Sequence, residues 1–543
     1  MVIDMAMMER IKGKMADALR RTGADTGLGK EYKSIFDLQD VPAFNQFYNI
    51  GIFPWKYLYR GFYKPWHLIP APTIADPENK RNLCYLNMSK AICAEIAGMV
   101  WTDQCDVDVS TAGYEDAETD PLHDFVQDVL RRNNFQVKMT ESIEQAAALG
   151  GQALKAWYEV KRDRDGNPVP DLSEIRIGYA MADQFVPVGW TNAGISEGIF
   201  VTRQARGGYY YTLLEWHLWD GTTYTIRNEL YRAEIKKEGV GGDQDILGFR
   251  YPLSYLYPYL DEVITIPVSK SLFTYFRPPG ANNIDDNSPL GVSIYANAMD
   301  TLHAIDICFD SFVREFRLGK KRIIVPARMV RKVTDPATGK MVRYFDATDE
   351  TYEALSTDDP DTLRIQDNSV SLRVDEHVEA MNALLNLLCL QTGLSFGTFS
   401  FDAKGGLKTA TEVVSENSKT YKTIKNFQNQ IVPAVQDLIH AIIEVASLYD
   451  VTWEGQSIAQ LAARGYEVKV SLDDGITQDR QTNINEGLTL VGAGLMSKYT
   501  FLTDPKYGIN LTEDDAMAEL ERIANEQTVT MPQLDIRDFN GIE

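Results

Sequence analysis

Residues 290–318 read LGVSIYANAMDTLHAIDICFDSFVREFRL, residues 374–390 read VDEHVEAMNALLNLLCL, and residues 409–449 read TATEVVSENSKTYKTIKNFQNQIVPAVQDLIHAIIEVASLY. In each stretch the apolar residues recur at the three- and four-residue spacing of an amphipathic helix. At 1.5 Å a residue, the first helix is about 40 Å long and the third about 60 Å, and Pro433 should kink the third. A pair of helices and one much longer helix therefore decide the fold of this half of the chain.

Residues suited to helix ends flank these stretches. Ser288 and Pro289 fit the N-cap and first turn of the first helix, and Gly319 fits its C-terminal end. Thr409 and Glu412 have the spacing of a capping box in front of the long helix. We therefore expect the first helix to begin directly after Pro289 and the long helix to begin at Thr409.

The segment between the first two helices predicts a small β-structure. Lys320–Val333 and Lys340–Phe345 have strand character, and the turn sequence DPATG (335–339) separates them. Basic residues crowd into this region and the helix end before it, with Glu315 as the one acid among them: Arg314, Arg317, Lys320, Lys321, Arg322, Arg328, Arg331 and Lys332. Cations favour helix C-termini and strand edges often carry lysine, so the pattern is as typical of a plain surface as of a binding surface for DNA phosphates or an acidic partner.

A glycine-rich connector is predicted between the second and third helices, from Thr392 to Lys408. Its glycines and lysines are Gly393, Gly397, Lys404, Gly405, Gly406 and Lys408. A phosphate-binding loop of the Walker type requires G-x-x-x-x-G-K-[ST], whereas Leu407 separates Gly406 from Lys408 here and no strand precedes the segment. The spacing therefore indicates a connector and not a nucleotide-binding loop.

The bulk composition favours a multidomain globular protein. A chain of 543 residues is too long to fold around a single hydrophobic core. Its residues are 44% hydrophobic and 24% charged, which is not the composition of a disordered chain. The five cysteines form no C-x-x-C pair, which predicts reduced thiols, and no apolar run approaches the ~20 residues that cross a bilayer. The net charge of −23 is typical both of an ordinary acidic protein and of a surface that lets DNA pass without binding it.

The first 288 residues predict helices followed by a β-rich region. Residues 1–22 have an amphipathic pattern, and residues 41–70 concentrate aromatic side chains that we expect to pack or form an interface, the alternative being stacking on single-stranded bases. From Ile175 to Pro267, strand patterns alternate with glycine turns, which predicts an antiparallel meander. Short helical patterns follow residue 479, so the fold class is α+β.

Patterns of catalysis and metal binding are missing from the sequence. None of the six histidines lies in H-x-x-x-H or H-E-x-x-H spacing, and no G-x-G-x-x-G follows a strand. The stretch GVSIY (291–295) departs from the nucleophile-elbow pattern at its last position. We therefore expect no enzyme activity, no cofactor and no metal site. Asp473, Asp474 and Asp479 could bind a hard cation, but a solvated turn is the more common role of such a cluster.

Four segments resemble the portal proteins of tailed bacteriophages, and most closely those of long-tailed phages of Gram-positive hosts. They are residues 273–318, with RPPGANN (277–283), SPLGVS (288–293) and DTLHAID (300–306); GLKTATEV (406–413); DDGITQD (473–479); and GAGLMSKYT (492–500) with the helical pattern of 513–526. Their order and spacing cover most of the C-terminal half. The N-terminal helices and sheet agree with the family in order and not in motif.

The resemblance implies a portal-like α+β architecture with named parts. These are a mixed wing of N-terminal helices and an antiparallel sheet (1–288), a two-helix stem (289–318 and 374–391), a small β clip (319–373), a tunnel loop (392–408), a long kinked wing helix with a returning strand (409–474) and a helical crown with the tail (475–543). In such phages a separate terminase hydrolyses ATP, which agrees with the missing Walker pattern.

The resemblance also implies a function. Portal proteins form a ring, usually of twelve subunits, at one capsid vertex, and DNA enters through the ring during packaging and leaves through it at infection. The implied partners are further copies of the chain, double-stranded DNA, the terminase large subunit, a head-tail adaptor protein, and the major capsid and scaffolding proteins, with no membrane. The implied locations are the virion and, during assembly, the host cytoplasm.

Two candidate binding sites follow from this scheme, and neither is catalytic. We expect Lys404 and Lys408, beside Gly405 and Gly406, to touch DNA in the tunnel. We expect the basic clip residues to dock the terminase or the adaptor: Lys320, Lys321, Arg322, Arg328, Arg331 and Lys332. Two other functions compete with this interpretation: a nucleic-acid-related enzyme with an unrecognised site, which predicts turnover, and a minor capsid protein, which predicts no channel.

Overall fold

The computed structural model describes residues 30–529 apart from residues 43, 75, 115–118, 164–166, 170–173, 236–245, 320–322, 327–331, 335–338, 340, 344–351, 356–365, 368–370, 402–409, 473–479, 505–507 and 510. The chain divides into two compact units. The first contains residues 1–403 and 419–474, and the second contains residues 404–418 and 475–543. The predicted helix over residues 1–22 lies outside the described residues.

The described helices are, in chain order, α1 (Asn45–Phe47), α2 (Phe53–Tyr59), α3 (Lys64–His67), α4 (Met88–Val100), α5 (Pro121–Arg132), α6 (Phe135–Leu149), α7 (Met299–Leu318), α8 (Val374–Thr392), α9 (Ala410–Leu448), α10 (Ile458–Ala462), α11 (Arg480–Gly492), α12 (Lys498–Thr503) and α13 (Glu513–Val529). A π-helical turn, Tyr48–Ile52, joins α1 to α2, and 3-10 turns cover Ile35–Asp37, Ala182–Gln184, Leu253–Tyr255 and Ala296–Ala298.

The described strands are β1 (Glu31–Tyr32), β2 (Leu68–Pro70), β3 (Lys80–Asn82), β4 (Asp106–Thr111), β5 (Gln152–Glu159), β6 (Glu174–Met181), β7 (Phe185–Thr191), β8 (Gly194–Arg206), β9 (Tyr209–Asp220), β10 (Thr223–Glu234), β11 (Gly248–Tyr251), β12 (Val263–Ile266), β13 (Phe273–Phe276), β14 (Ile323–Pro326), β15 (Lys332–Thr334), β16 (Met341–Arg343), β17 (Tyr352–Leu355), β18 (Gln366–Asp367), β19 (Thr452–Trp453), β20 (Gln456–Ser457) and β21 (Tyr466–Ser471).

The largest sheet is a seven-stranded antiparallel meander in the first unit. Its main path runs β1-β11-β10-β9-β8-β7, and β12 pairs with β10 as well. β9 and β10 pair over their full lengths, from Asp220 opposite Thr223 to Tyr209 opposite Glu234. Gly207 and Gly208 turn the chain between β8 and β9 with φ of +59° and +81°, which a two-residue type I′ hairpin requires. The predicted α+β class and the antiparallel sheet are therefore confirmed.

The core of the first unit surrounds the C-terminal part of α9. Ile431, Leu438 and Ile442 of this helix are fully buried in one cluster with Ile92 of α4 and Ile143 of α6. The predicted strand after the long helix is β21, and it pairs with β4, a partner that the sequence did not indicate. Because one cluster joins elements from both ends of the chain, the first unit is a single packed body.

The aromatic segment packs into this core. Phe47, Tyr48 and Trp55 are each at most 2% exposed, and the hydroxyl of Tyr48 donates to the carbonyl of Phe185 at 2.5 Å. Burial of such large side chains stabilises the fold by roughly 2 kcal/mol each. The prediction that this segment packs is confirmed for these residues.

One helix of the described chain, Ser418–Leu448 within α9, is long and apolar enough by length and composition to cross a membrane. The sequence predicts no such run. The window that passes is 56% buried in the protein, which is the environment of a central core helix. A single helix of this kind is weak evidence for a membrane span.

The described part of the second unit contains short helices, as predicted. The side-chain oxygen of Ser497 accepts the amide of Thr500 at 3.0 Å and caps α12. Phe501 and Leu502 of α12 and Ala516 of α13 are buried. The two helices contact each other.

Helix α7, which the sequence predicts over residues 290–318, begins later than predicted. It starts at Met299, so Ser288 and Pro289 do not begin it, and its 20 residues span about 30 Å. Residues 288–295 instead lie against the end of α6, where the amide of Ile294 donates to the carbonyl of Ala147 at 2.9 Å. These contacts replace the hydrogen bonds of a first helical turn.

The region between α7 and α8 is also more divided than predicted. Within the expected strand Lys320–Val333 the structure describes β14 and the beginning of β15, and β14 pairs in parallel with β17 and antiparallel with β18. The hairpin of β15 and β16 around residues 335–340 agrees with the predicted turn.

Candidate functional site

Helices α7 and α8 form an antiparallel pair, called the helical pair below. Arg373, directly before α8, donates to Glu315 near the end of α7, with Nη2–Oε2 at 2.9 Å and Nε–Oε1 at 3.2 Å. Phe312 meets the ring of His377 edge-on at 5.8 Å, and the 3-10 turn before α7 contacts α8. The Arg373 guanidinium lowers the pKa of Glu315, so this ion pair persists at neutral pH.

Two aspartates on one face of α7 attach the helical pair to the N-terminal elements. Asp306 accepts the amide of Leu86 at 2.9 Å and bonds Nε2 of His67 at 3.0 Å. Nδ1 of His67 accepts the amide of Tyr63 at 2.8 Å, so Nε2 carries the proton and donates to the carboxylate. The 2%-exposed imidazole therefore has both nitrogens paired.

Asp310, one turn further along α7, repeats this arrangement with a stronger pair. Arg81 binds its carboxylate with two bonds of 2.8 and 2.6 Å, and the amide of Cys84 donates at 3.1 Å. The Arg81 guanidinium lowers the pKa of Asp310. Because Asp306 and Asp310 are four residues apart, both carboxylates reach the same neighbouring chain segment.

The described beginning of the predicted tunnel loop, residues 393–401, is tied down by side chains of α8 and α9. Asn386 and Asn382 accept the amides of Gly397 and Phe401, each at 3.0 Å. From α9, the hydroxyl of Thr420 accepts the amide of Ser395 at 2.8 Å. These bonds hold the first half of the loop along α8.

Large apolar side chains are exposed on the helical pair, directly before α8 and on this loop. They are Ile307, Phe316, Leu318, Leu372, Leu387, Leu390, Phe396 and Phe401, each between 39% and 66% exposed. The opposite side of α8 is buried, with Met381, Leu385 and Leu388 at 2% or less. The helical pair therefore has one side in the core and an apolar side without a partner in the described chain.

The predicted binding residues fall mostly outside the described chain. Lys404, Gly405, Gly406 and Lys408 of the tunnel loop do, and so do Lys320, Lys321, Arg322, Arg328 and Arg331 of the clip. Lys332 opens β15, and nothing is described of its side chain. The predicted DNA and partner contacts thus stay predictions.

The described residues contain no group of three or more His, Cys, Asp or Glu side chains that could hold a metal ion. His67, His303 and His377 each contact an aromatic ring or a carboxylate of the surrounding structure. All five cysteines lie in the described chain, and they form no disulfide there.

Sequence reasoning missed Asp306, Asp310, Asn382 and Asn386. Each pair is spaced four residues apart within an otherwise apolar helical pattern. A polar residue repeated at that spacing next to a buried stripe is a signal that those side chains bond a neighbouring segment. The identity of that segment is not contained in the local pattern.

A protein-family model described as "Phage portal protein, SPP1 Gp6-like" matches residues 52–533 of the chain. No curated protein matches the sequence of this chain.

Proposed function

Since that match covers most of the 543 residues, the chain belongs to the phage portal proteins of the SPP1 Gp6-like family, and we propose that twelve copies close into a ring whose channel carries DNA. A phage portal protein is part of the virion and takes part in genome packaging. In the proposed ring, DNA enters the capsid through the channel at packaging and leaves through it at infection.

The observation that carries the ring proposal is the apolar exposure of the helical pair. Leu387 and Leu390 are 42% and 48% exposed, and Ile307 on α7 is 47% exposed. Burying such a side chain between copies stabilises association by roughly 1 kcal/mol, about half the value for a fully exposed side chain. Repeated around a closed ring, the same contact removes every such surface from water.

The parts of the ring follow the order of the chain. In this proposal the helical pair is the stem, residues 319–373 are the clip, residues 392–408 are the tunnel loop, and α9 is the long wing helix. Residues 1–288 add the rest of the wing, and residues 475–543 form the crown.

The charge of the chain suits a conduit for DNA. With a net charge of −23, most of the surface repels phosphate, so a duplex is not held by the wall. Lys404 and Lys408 would then make brief phosphate contacts in the tunnel. Replacing both by glutamate should reduce the DNA packaged or retained per capsid, measured by gel quantification of protected DNA. Unchanged packaging and retention would count against these contacts.

The basic clip is the proposed docking surface for the terminase large subunit and the head-tail adaptor. Its positive charge stands out in an acidic chain and favours acidic partners. Neutralising Arg328, Arg331 and Lys332 should abolish adaptor binding in a pull-down with the assembled ring. Intact binding would refute this assignment.

Assembly with the major capsid and scaffolding proteins, in the host cytoplasm, completes the proposed set of partners.

The mass of the purified protein, measured by multi-angle light scattering, tests whether the ring forms. Twelve chains of 61.2 kDa give about 730 kDa. A constant mass of one or two chains, under assembly conditions as well, contradicts the proposal.

A further inference from the structure

A cleft of about 740 Å³ lies in the first unit between the large sheet and the N-terminal aromatic segment. Its floor is one face of the sheet, where Val201, Arg203 and Ala205 alternate along β8 and Tyr210 and Thr212 lie opposite on β9. The turn at residues 34–36, the π-helical turn and α2 form the walls. Neither the helical pair nor the loop after it lines this cleft.

The cleft is positively charged in an acidic protein. Lys56, Arg60 and Arg203 line it, and Asp183 is the only acidic residue among the lining residues. Arg203 is held by the Thr212 hydroxyl at 3.0 Å, whereas the exposed Arg60 has no ion pair among the described residues. Three cations against one carboxylate favour an anionic ligand.

Asp183 has one oxygen in use and one without a partner. Its side chain is 10% exposed, and Oδ2 pairs with the ammonium of Lys56. Oδ1 is buried and accepts no hydrogen bond within the described chain. A buried carboxylate oxygen left unpaired costs roughly 1–3 kcal/mol, so an N–H donor of a ligand is stabilised at this oxygen once the Asp183 side chain turns it towards the cleft.

Aromatic rings supply the remaining wall. Tyr57 and Tyr63 lie with their rings 20° from parallel and their centroids 6.5 Å apart, and Phe53 lines the cleft beside them. Flat aromatic surfaces bind planar rings, and nucleobases stack on them with roughly 1–3 kcal/mol each. The cleft thus combines a surface for a planar ring, an acceptor for an N–H group and cations for an anion.

We propose that this cleft binds a nucleoside phosphate. The base lies against Tyr57 and Tyr63 and donates an N–H to Oδ1 of Asp183, and Arg60 binds the phosphate. The same chemistry belongs to a free nucleotide and to a nucleotide of a single-stranded nucleic acid. This site is separate from the proposed channel and does not depend on ring formation.

Isothermal titration calorimetry of the full-length protein tests the site, with GTP, ATP, a short single-stranded DNA and inorganic phosphate as probes. Wild-type protein should bind at least one nucleotide-containing probe with one site per chain. Arg60→Gln should weaken that binding at least tenfold. The matched control is Arg464→Gln, an exposed arginine over the ring of Tyr114 and outside the cleft, which should leave binding unchanged.

Asp183→Asn is the second variant, and it should lower the affinity for the nucleotide towards that for inorganic phosphate. Tighter binding of GTP or ATP identifies a free nucleotide as the ligand, and tighter binding of the DNA identifies a strand. The proposal is overturned if no probe binds saturably, if Arg60→Gln and Arg464→Gln behave alike, or if inorganic phosphate binds as tightly as the nucleotides.

Discussion

Single carboxylates on α7 connect this helix to a distant part of the sequence. Asp310 is 6% exposed at its side chain and takes two bonds from Arg81 and one from the amide of Cys84. Hydrogen bonds to a charged group are worth more than neutral ones, because the low-dielectric surroundings strengthen them. The helical pair thus depends on a few polar contacts at its base.

Asp310→Asn should lower the free energy of unfolding of the first unit by about 2 kcal/mol. The substitution keeps the side-chain shape but removes the charge that Arg81 and the Cys84 amide bind. Urea denaturation followed by circular dichroism measures the change. Glu519→Gln is the control, since Glu519 forms an exposed pair with Arg522 and should alter stability by less than about 0.5 kcal/mol. Equal effects of both substitutions would contradict the proposed anchoring.

A buried polar group in the sheet makes stability depend on pH. His217 is 2% exposed and bonds Glu215 at 2.8 Å and the hydroxyl of Tyr224 at 2.6 Å. Burial lowers the pKa of His217, so the unfolded chain binds a proton more readily than the folded chain. Burial raises the pKa of Glu215, but Lys155 and His217 outweigh this and lower it overall, which acts only in more acidic solution.

The free energy of unfolding should therefore fall as the pH drops below about 6.5, by at most about 1.4 kcal/mol per pH unit for one histidine. His217→Gln should reduce this slope between pH 7 and pH 5.5, even though it removes hydrogen bonds and lowers stability at pH 7. Denaturation curves at half-unit pH steps measure the slope. A slope that is the same in wild type and His217→Gln would refute the explanation.

At the scale of elements, α8 and α9 place the start of the predicted tunnel loop. Asn382 and Asn386 bond the amides of Phe401 and Gly397, and this leaves the rings of Phe396 and Phe401 exposed. The loop is therefore attached to the proposed stem at two points. Movement of the described part of the loop away from α8 requires both bonds to break.

Replacing Asn382 and Asn386 by alanine should speed hydrogen exchange in the peptide covering residues 393–401. Loss of one such bond is worth roughly 1 kcal/mol, or about fivefold in exchange rate. Mass-spectrometric hydrogen exchange measures this. The control is Asn426→Ala, since Asn426 is exposed on α9 and should leave the peptide unaffected. Unaltered exchange in the double variant would show that other contacts hold the loop.

Prediction of elements from the sequence succeeded where the local pattern is strong. α8 begins at Val374, and α9 begins one residue after the predicted capping residue Thr409. The start of α7 was wrong because residues 288–295 bond to α6, which is more than a hundred residues away in sequence. Short strands such as β4 and β13 were missed, since their pairing partners are equally distant.

At the scale of the whole molecule, the family and the α+β class could be predicted from the sequence. The motifs around residues 273–318 and 492–500 pointed to portal proteins, and the family match agrees. The anchoring role of Asp306 and Asp310 could not be predicted from the sequence, because their partners come from the chain around residues 67–86. Site residues such as Lys404 remain predictions, because they lie outside the described residues.

In the proposed assembly, identical chains close around a pore. The exposed apolar side chains of the helical pair have no partner within the described chain. The negative charge of the protein suits a channel wall to which DNA does not adhere.

Cryo-electron microscopy of the purified protein, and of the unique vertex of assembled capsids, can show whether the chains close around a pore. We expect a closed ring of subunits whose central opening is at least as wide as a DNA duplex, with Leu387 and Leu390 in contact with a neighbouring copy. Particles without a central opening in both preparations would contradict it.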